Sequence, residues 1–386
     1  MSADTLPEWL NFQASHRPTQ IAMRHKRLGV WEEKTWRAIQ HETLQLVSAL
    51  KAHGFARGDT LYLLSNPRPE ALLLSLAAHW LGGVSAPLDN ESHNAEFLAL
   101  LQQLQPAFVF AEGQSQVDLL QQQGLGQALI IYADARGLAT YQRGILQPYA
   151  GLINLSNNHF YQPPIGGAAN DAFVFYRLNP RQRVERKKLS HKKLLTQGRL
   201  LIELETLTER EEALAARAFA ASGHLKYLLA PWLQAGFKLN FPENINTRDS
   251  DRRELGPTLV AGTSSTYQRL ECLVKARLPL TGTWHRALLD WSLATSAKSS
   301  PLRKAVAYGL VIRPLQDVIG LSRTRVPLLI GEALPESSEQ FFQSLGINIR
   351  NWPDAPAWET VGISTPAGHD SHSRLTAHFS VTQGIS

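Results

Sequence analysis

The feature that most constrains this chain is a repeating alternation of short apolar runs with segments of helical period. Residues 59–64, 84–87, 107–110 and 128–132 read as strands, and 69–81, 95–104 and 117–123 read as the helices between them. A strand covered on both faces is apolar throughout, and strands joined through helices lie parallel. The pattern therefore predicts the α/β class with a doubly wound, mostly parallel sheet. Ahead of it, 7–15 reads as a short helix and 26–29 as the turn of a small hairpin. A longer helix over 35–53 carries Ile39, Leu44, Val47 and Leu50, with Gly54 as its stop. A second alternating block has strands at 173–176, 237–240, 258–261 and 326–330. Its helices are placed at 189–204, 209–221 and 226–235, and over 288–321 with interruptions. Residues 137–167, punctuated by Pro163-Pro164 and Gly166-Gly167, read as a connection. The expected organisation is a first α/β subdomain over 1–167, a second over 168–350, and an irregular tail over 351–386.

Cys272 is the only cysteine, which excludes an intrachain disulfide and a cysteine-rich metal site. No apolar run is long enough to span a bilayer. The first residues carry Asp4 and Glu8 instead of the basic-then-apolar pattern of an export signal, so a cytoplasmic location is expected. Charge is informative by its placement. Of 39 Lys+Arg, eight fall between Arg177 and Lys193 and face only Glu185. The remaining 31 basic residues meet 32 acidic ones. The basic character of the chain belongs to one segment.

A series of landmarks resembles the large domain of the AMP-dependent acyl-CoA synthetases, the adenylate-forming ligases, and their long-chain fatty-acid branch in particular. Leu6-Pro7-Glu8-Trp9-Leu10, Arg17-Pro18 and Ile21-Ala22 look like the family's opening. Gly54-Phe55-Ala56-Arg57-Gly58-Asp59, Asn66-Pro67-Arg68-Pro69-Glu70 and Leu81-Gly82-Gly83-Val84-Ser85-Ala86-Pro87-Leu88 follow. Ala235-Gly236-Phe237, Asn240-Phe241-Pro242-Glu243, Leu255-Gly256-Pro257-Thr258, Arg313-Pro314-Leu315 and Gly320-Leu321-Ser322-Arg323 continue the match. No single piece is specific; the ordered series over roughly residues 6 to 350 is. The resemblance implies two doubly wound, mostly parallel sheets with flanking helices. It also implies an ancestry in which ATP activates a carboxylic acid as an acyl-adenylate for transfer to coenzyme A.

The same resemblance tests that chemistry residue by residue. The family's phosphate loop, T-S-G-T-T-G-x-P-K-G shortly before L-S-H, brings backbone N–H groups close to phosphate oxygens and needs glycines to do so. Leu189-Ser190-His191 aligns without a gap, so the loop falls on Arg177 to Arg186. Its glycines become Asn179, Gln182 and Arg186, its lysine becomes Glu185, and Pro180 removes one donor. The magnesium-holding glutamate of the later L-Y-G-Q-T-E motif falls on Ala357, with Glu359 two residues on. The adenine-contacting glycine pair and alanine fall on Gly331, Glu332 and Ala333, after Ile330. A softer count places Ala221 at a position lining the family's acyl site. The family's ribose aspartate, hinge and C-terminal lysine domain find no counterpart in the residues after Trp358. Adenylyl transfer depends on positioned charge and metal, so ATP and magnesium are expected to be lost and no cofactor is assigned.

Two features remain. Arg181, Arg183, Arg186, Lys187, Lys188, Lys192 and Lys193 form a candidate anion-binding surface for a nucleotide, coenzyme A or anionic lipid, against the plainer reading of a solvated loop and helix start. Nucleic acid is not expected. His369, His372 and His378, with Asp370, do not have metal-ligand spacing. Ser190-His191 has no G-x-S-x-G context, and Ser190 reads as a helix N-cap. The leading expectation is a catalytically inactive synthetase-like protein, acting as an accessory or regulatory factor through a protein partner or a retained acyl ligand. The alternatives are an acyl-activating ligase completed by rebuilt loops or a partner's domain, and a basic anion or membrane-surface binder.

Overall fold

The computed structural model describes residues 3–88, 94–125, 127–138, 141, 146–154, 162–216, 219, 222–279, 282–283, 286–287, 291, 301–354 and 357–361. The positions Ala221, His369, His372 and His378 lie outside these residues. Helix α1 (Leu6–His16) opens with a reciprocal cap: the Glu8 N–H donates to Thr5 Oγ1 and the Thr5 N–H donates to Glu8 Oε2. Strands β1 (Ile21–Arg27) and β2 (Val30–Thr35) form the expected hairpin, and Thr35 caps α2 (Trp36–Ala52). The alternating block then runs β3 (Thr60–Leu64), α3 (Pro69–Trp80), β4 (Val84–Pro87), α4 (Ala95–Leu104), β5 (Phe108–Ala111), α5 (Gln114–Gln122) and β6 (Leu129–Tyr132). Helix α3 is apolar all round and buried all round, wedged among α1, α2 and the sheet.

The second block is β7 (Leu146–Pro148), α6 (Tyr149–Asn154), β8 (Asp171–Leu178), β9 (Val184–Ser190), α7 (His191–Glu205) and β10 (Glu212–Leu214). A continuous helical run over 222–235 follows. Its middle, Leu225–Leu229, is π-helical. The cause is legible: Pro231 has no N–H to give the carbonyl one α-turn earlier, so the hydrogen-bond register slips. A second π stretch, Tyr308–Ile312, likewise precedes Pro314. Strands β11 (Lys238–Phe241), β12 (Leu259–Gly262), β13 (Val326–Ile330), β14 (Arg350–Trp352) and β15 (Glu359–Thr360) complete the described sheets.

The strands form a seven-stranded sheet, β14-β13-β12-β10-β11-β1-β2, and an eight-stranded sheet, β15-β9-β8-β4-β3-β5-β6-β7. Pairing is parallel except for β1/β2, β8/β9 and β9/β15. The α/β class and the two mostly parallel sheets with flanking helices are thus observed. The expected cut at residue 167 does not separate the sheets. The N-terminal hairpin pairs with β11, and β8 and β9 return to the sheet built from the first block. One apolar cluster accordingly spans both sheets. At its centre Trp36 stacks on Trp232 with ring centroids 4.9 Å apart, and the Trp232 Nε1–H donates to the Ala22 carbonyl at 2.9 Å.

Three local expectations are corrected. The helix placed over 209–221 is replaced in part by β10, because Ala213 and Leu214 complete a parallel ladder with β11 and β12 that outweighs alanine's helix preference. The connection at 137–167 contains β7 and α6. The start of the expected irregular tail carries two short strands: β14 joins the seven-stranded sheet and β15 the eight-stranded one.

Candidate functional site

The positions aligned with the phosphate loop form a closed β-hairpin. Strands β8 and β9 pair from Asp171↔Ser190 to Leu178↔Val184, and Asn179 organises the turn between them. Its side-chain Oδ1 accepts the N–H groups of Arg181 at 2.9 Å and Arg183 at 3.0 Å, and its carbonyl accepts the Gln182 N–H at 2.8 Å. Gln182 takes a left-handed conformation, φ 57°, where a glycine would otherwise serve. Glu185, at the lysine position, pairs with Arg177 at 2.8 Å. The Arg177 guanidinium lies over the Trp358 ring, 4.3 Å from its centroid, and β15 covers the outer edge of β9.

Strand alternation divides the basic segment. Arg186 and Lys188 stand opposite Tyr176 and Val174 on one face, and Lys188 meets Asp171 at 3.0 Å. Lys187 and Leu189 face the other way, opposite Phe175 and Phe173, into the main core. Arg181 and Arg183 are exposed at the hairpin tip, whereas Lys192 and Lys193 are exposed at the start of α7. Seven strand residues separate these ends, a span of about 23 Å. The expected anion-binding surface is therefore not one patch: Lys187 is buried, Lys188 is paired, and the exposed charges stand apart.

Burial of Lys187 leads to the most connected polar cluster in this region. The Asp354 carboxylate, just past β14, accepts from Lys187 Nζ at 3.2 Å and Lys226 Nζ at 2.6 Å. It also accepts from Ser222 Oγ at 2.6 and 2.8 Å and from the Gly223 N–H at 2.8 Å. Ser222 and Lys226 stand four residues apart on one helix face, and Lys226 sits in the π stretch. The lysine side chains are 7% exposed and the aspartate 10%. Burial raises the Asp354 pKa, but the hydrogen bonds from Lys226 and Ser222 and the charges of Lys226 and Lys187 outweigh it, leaving it at about 2. Burial also pulls Lys187 below the ordinary lysine value, against the raising effect of Asp354. Gly223 is required: a Cβ there would come within 2.2 Å of Ile330 Cγ2 and 3.3 Å of Asp354 Cβ. Next to it, the Tyr227 hydroxyl donates to the Pro353 carbonyl at 2.9 Å, and its ring packs on Trp352.

The other aligned positions are peripheral. Gly331 follows β13 with its N–H on the Trp352 carbonyl at 3.1 Å, and Glu332, Ala333 and Ala357 are not buried. Ser190 caps α7, its Oγ accepting the Lys193 N–H at 3.2 Å. His191 is a core residue. Its Nδ1 accepts the Leu6 N–H at 3.2 Å, and burial lowers its pKa to about 4, so it is neutral at physiological pH. The described residues hold no group of three or more His, Cys, Asp or Glu suited to a metal ion. Among them no helix is long and apolar enough to cross a membrane. The Asp354 cluster was missed by sequence reasoning. Its signal is Lys226 within the apolar run 225–233, since a buried lysine calls for a partner.

The comparisons agree with this architecture. Residues 10–149 match the model of the AMP-binding enzyme family. A Rhodopseudomonas palustris protein assigned as a long-chain-fatty-acid CoA ligase superposes with a TM-score of 0.62 at 18% identity, over 91% of this chain and 75% of that one. A benzoate CoA ligase from Burkholderia xenovorans gives 0.67 at 17% identity, over 91% and 61%. A fatty acyl-adenylate ligase from L. pneumophila, solved with acyl adenylate and pyrophosphate, gives 0.60 at 13% identity, over 90% and 54%. No curated protein matches in sequence. The neighbours include fatty-acyl and benzoate ligases alike, so they do not single out the long-chain branch. Residues 10–149 match the AMP-binding enzyme family, and the chain as a whole shares its α/β fold with these CoA and adenylate ligases.

Proposed function

We propose that this chain is a catalytically inactive relative of the acyl-CoA synthetases, working as an accessory or regulatory protein through a protein partner or a retained acyl ligand. One observation carries the reading. The turn that would cradle phosphate uses its own amides, since Arg181 and Arg183 donate to Asn179. Where the loop lysine belongs stands Glu185, its carboxylate taken by Arg177, so the position supplies no cation to a phosphate. These residues do not fit ATP or magnesium. Ala357 has no metal-ligating group, Glu359 lies on β15 along the edge of β9, and Asp354 has its oxygens filled by lysines, a hydroxyl and an amide.

The test is pyrophosphate exchange into ATP, with fatty and aromatic acids as substrates, alongside coenzyme A thioester formation. The expected rates equal those without protein. Exchange dependent on one acid would replace this reading with that of a ligase built on rearranged loops. A pull-down from native cells then identifies the partner class.

A further inference from the structure

The donors around Asp354 make a more complete site than an ion pair requires. A carboxylate has two oxygens and about four acceptor positions. Here the first oxygen takes Lys187, Lys226 and Ser222, and the second takes Ser222 and the Gly223 amide. The donors come from separate elements, β9 and the helical run over 222–235, and both elements set apolar residues into the main core. Lys187 is held by the β8/β9 ladder beside Phe173 and Phe175, and Ser222 and Lys226 by the helix carrying Trp232. A side chain at Gly223 would crowd the Asp354 carboxyl, its Cβ falling 3.3 Å from Asp354 Cβ and Cγ. Charge is unbalanced: among the described residues the ion pairs of both lysines end on Asp354 alone, so two ammonium groups share one carboxylate.

We propose that Lys187, Lys226, Ser222 and the Gly223 amide form a preorganised carboxylate-binding site, and that Asp354 is its internal ligand. The site recognises a carboxylate because two converging ammonium groups, a hydroxyl and an amide match a two-oxygen anion in charge and donor count. Asp354 fills it from within the same molecule, so a free carboxylate competes with a tethered one at high effective concentration.

Removing the tethered ligand tests this by rescue. In Asp354→Ala, sodium acetate is the probe, with sodium chloride at equal ionic strength as the control. Thermal unfolding of this variant is expected to shift upward saturably with acetate, by about 2 °C at ten times the dissociation constant. The wild type, already filled, is expected not to shift. Neither is Asp354→Asn, whose amide occupies the site, nor Asp354→Ala/Lys226→Ala, which lacks a principal cation. If Asp354→Ala folds only in acetate, that recovery supports the site. Equal behaviour of Asp354→Ala in acetate and chloride, folded or unfolded, overturns it. An acetate shift of the same size in Asp354→Asn overturns it too.

Discussion

Asp354 acts where its charge is hardest to replace. Neutralising it leaves two nearly buried ammonium groups without an anion, and breaking a buried pair from one side costs about 3 kcal/mol or more. Asp354→Asn is therefore expected to lose about 3 kcal/mol of stability at pH 7 in equilibrium denaturation. The pH dependence follows from the folded pKa of about 2 against an ordinary value of 3.8. A carboxylate depressed on folding contributes stability that is fully present above its ordinary value and lost as pH falls through the folded one. The gap between wild type and Asp354→Asn should accordingly hold at pH 7, narrow below pH 4 and close near pH 2. A gap of constant size down to pH 2 would show that the carboxylate's charge is not what stabilises the cluster. At this scale the sequence was only partly legible. Ser190 as a cap and the loss of the loop glycines could be read directly, because each rests on local chemistry. The Lys187–Asp354–Lys226 contact could not, since it joins residues far apart in sequence through the register of two strands and a helix.

At the scale of elements, the hairpin β8/β9 and the helical run over 222–235 set the geometry of the site. The hairpin turn depends on Asn179, which satisfies two amides with one oxygen. Asn179→Ala is expected to cost about 1–2 kcal/mol and to raise hydrogen exchange at Arg181 and Arg183; unchanged protection there would show that the turn is held otherwise. The helical run depends on Gly223, where an added methyl group meets Ile330. Gly223→Ala is expected to cost about 1–3 kcal/mol, and Ile330→Ala in the same chain should recover part of that loss if the clash is the cause. Additive losses from the two substitutions would refute the clash. The strands and the amphipathic helices of the first block were legible from apolar period alone. β10 was not, because an alanine-rich stretch reads as helix until a neighbouring ladder claims it. β15 was not either: a two-residue strand has no period, and only its pairing with β9 defines it.

For the whole molecule, interleaving of the two sheets matters more than the division of the sequence. β1 and β2 serve the later block and β8 and β9 the earlier one, so the main core is common to both. Trp232→Ala removes the partner of Trp36 at that shared core and should cost about 3–5 kcal/mol, with the fluorescence and far-ultraviolet transitions remaining coincident. Two separated transitions would mean that the sheets fold independently after all. The fold class was legible because alternating buried strands and helices admit few solutions; the boundary at 167 was not, because sheet membership is settled by long-range pairing. The central proposal is that this chain does not bind magnesium–ATP. It is tested most directly by titrating magnesium–ATP into the protein in a calorimeter. The account predicts no heat beyond dilution, whereas a saturable isotherm reversed by pyrophosphate would contradict it.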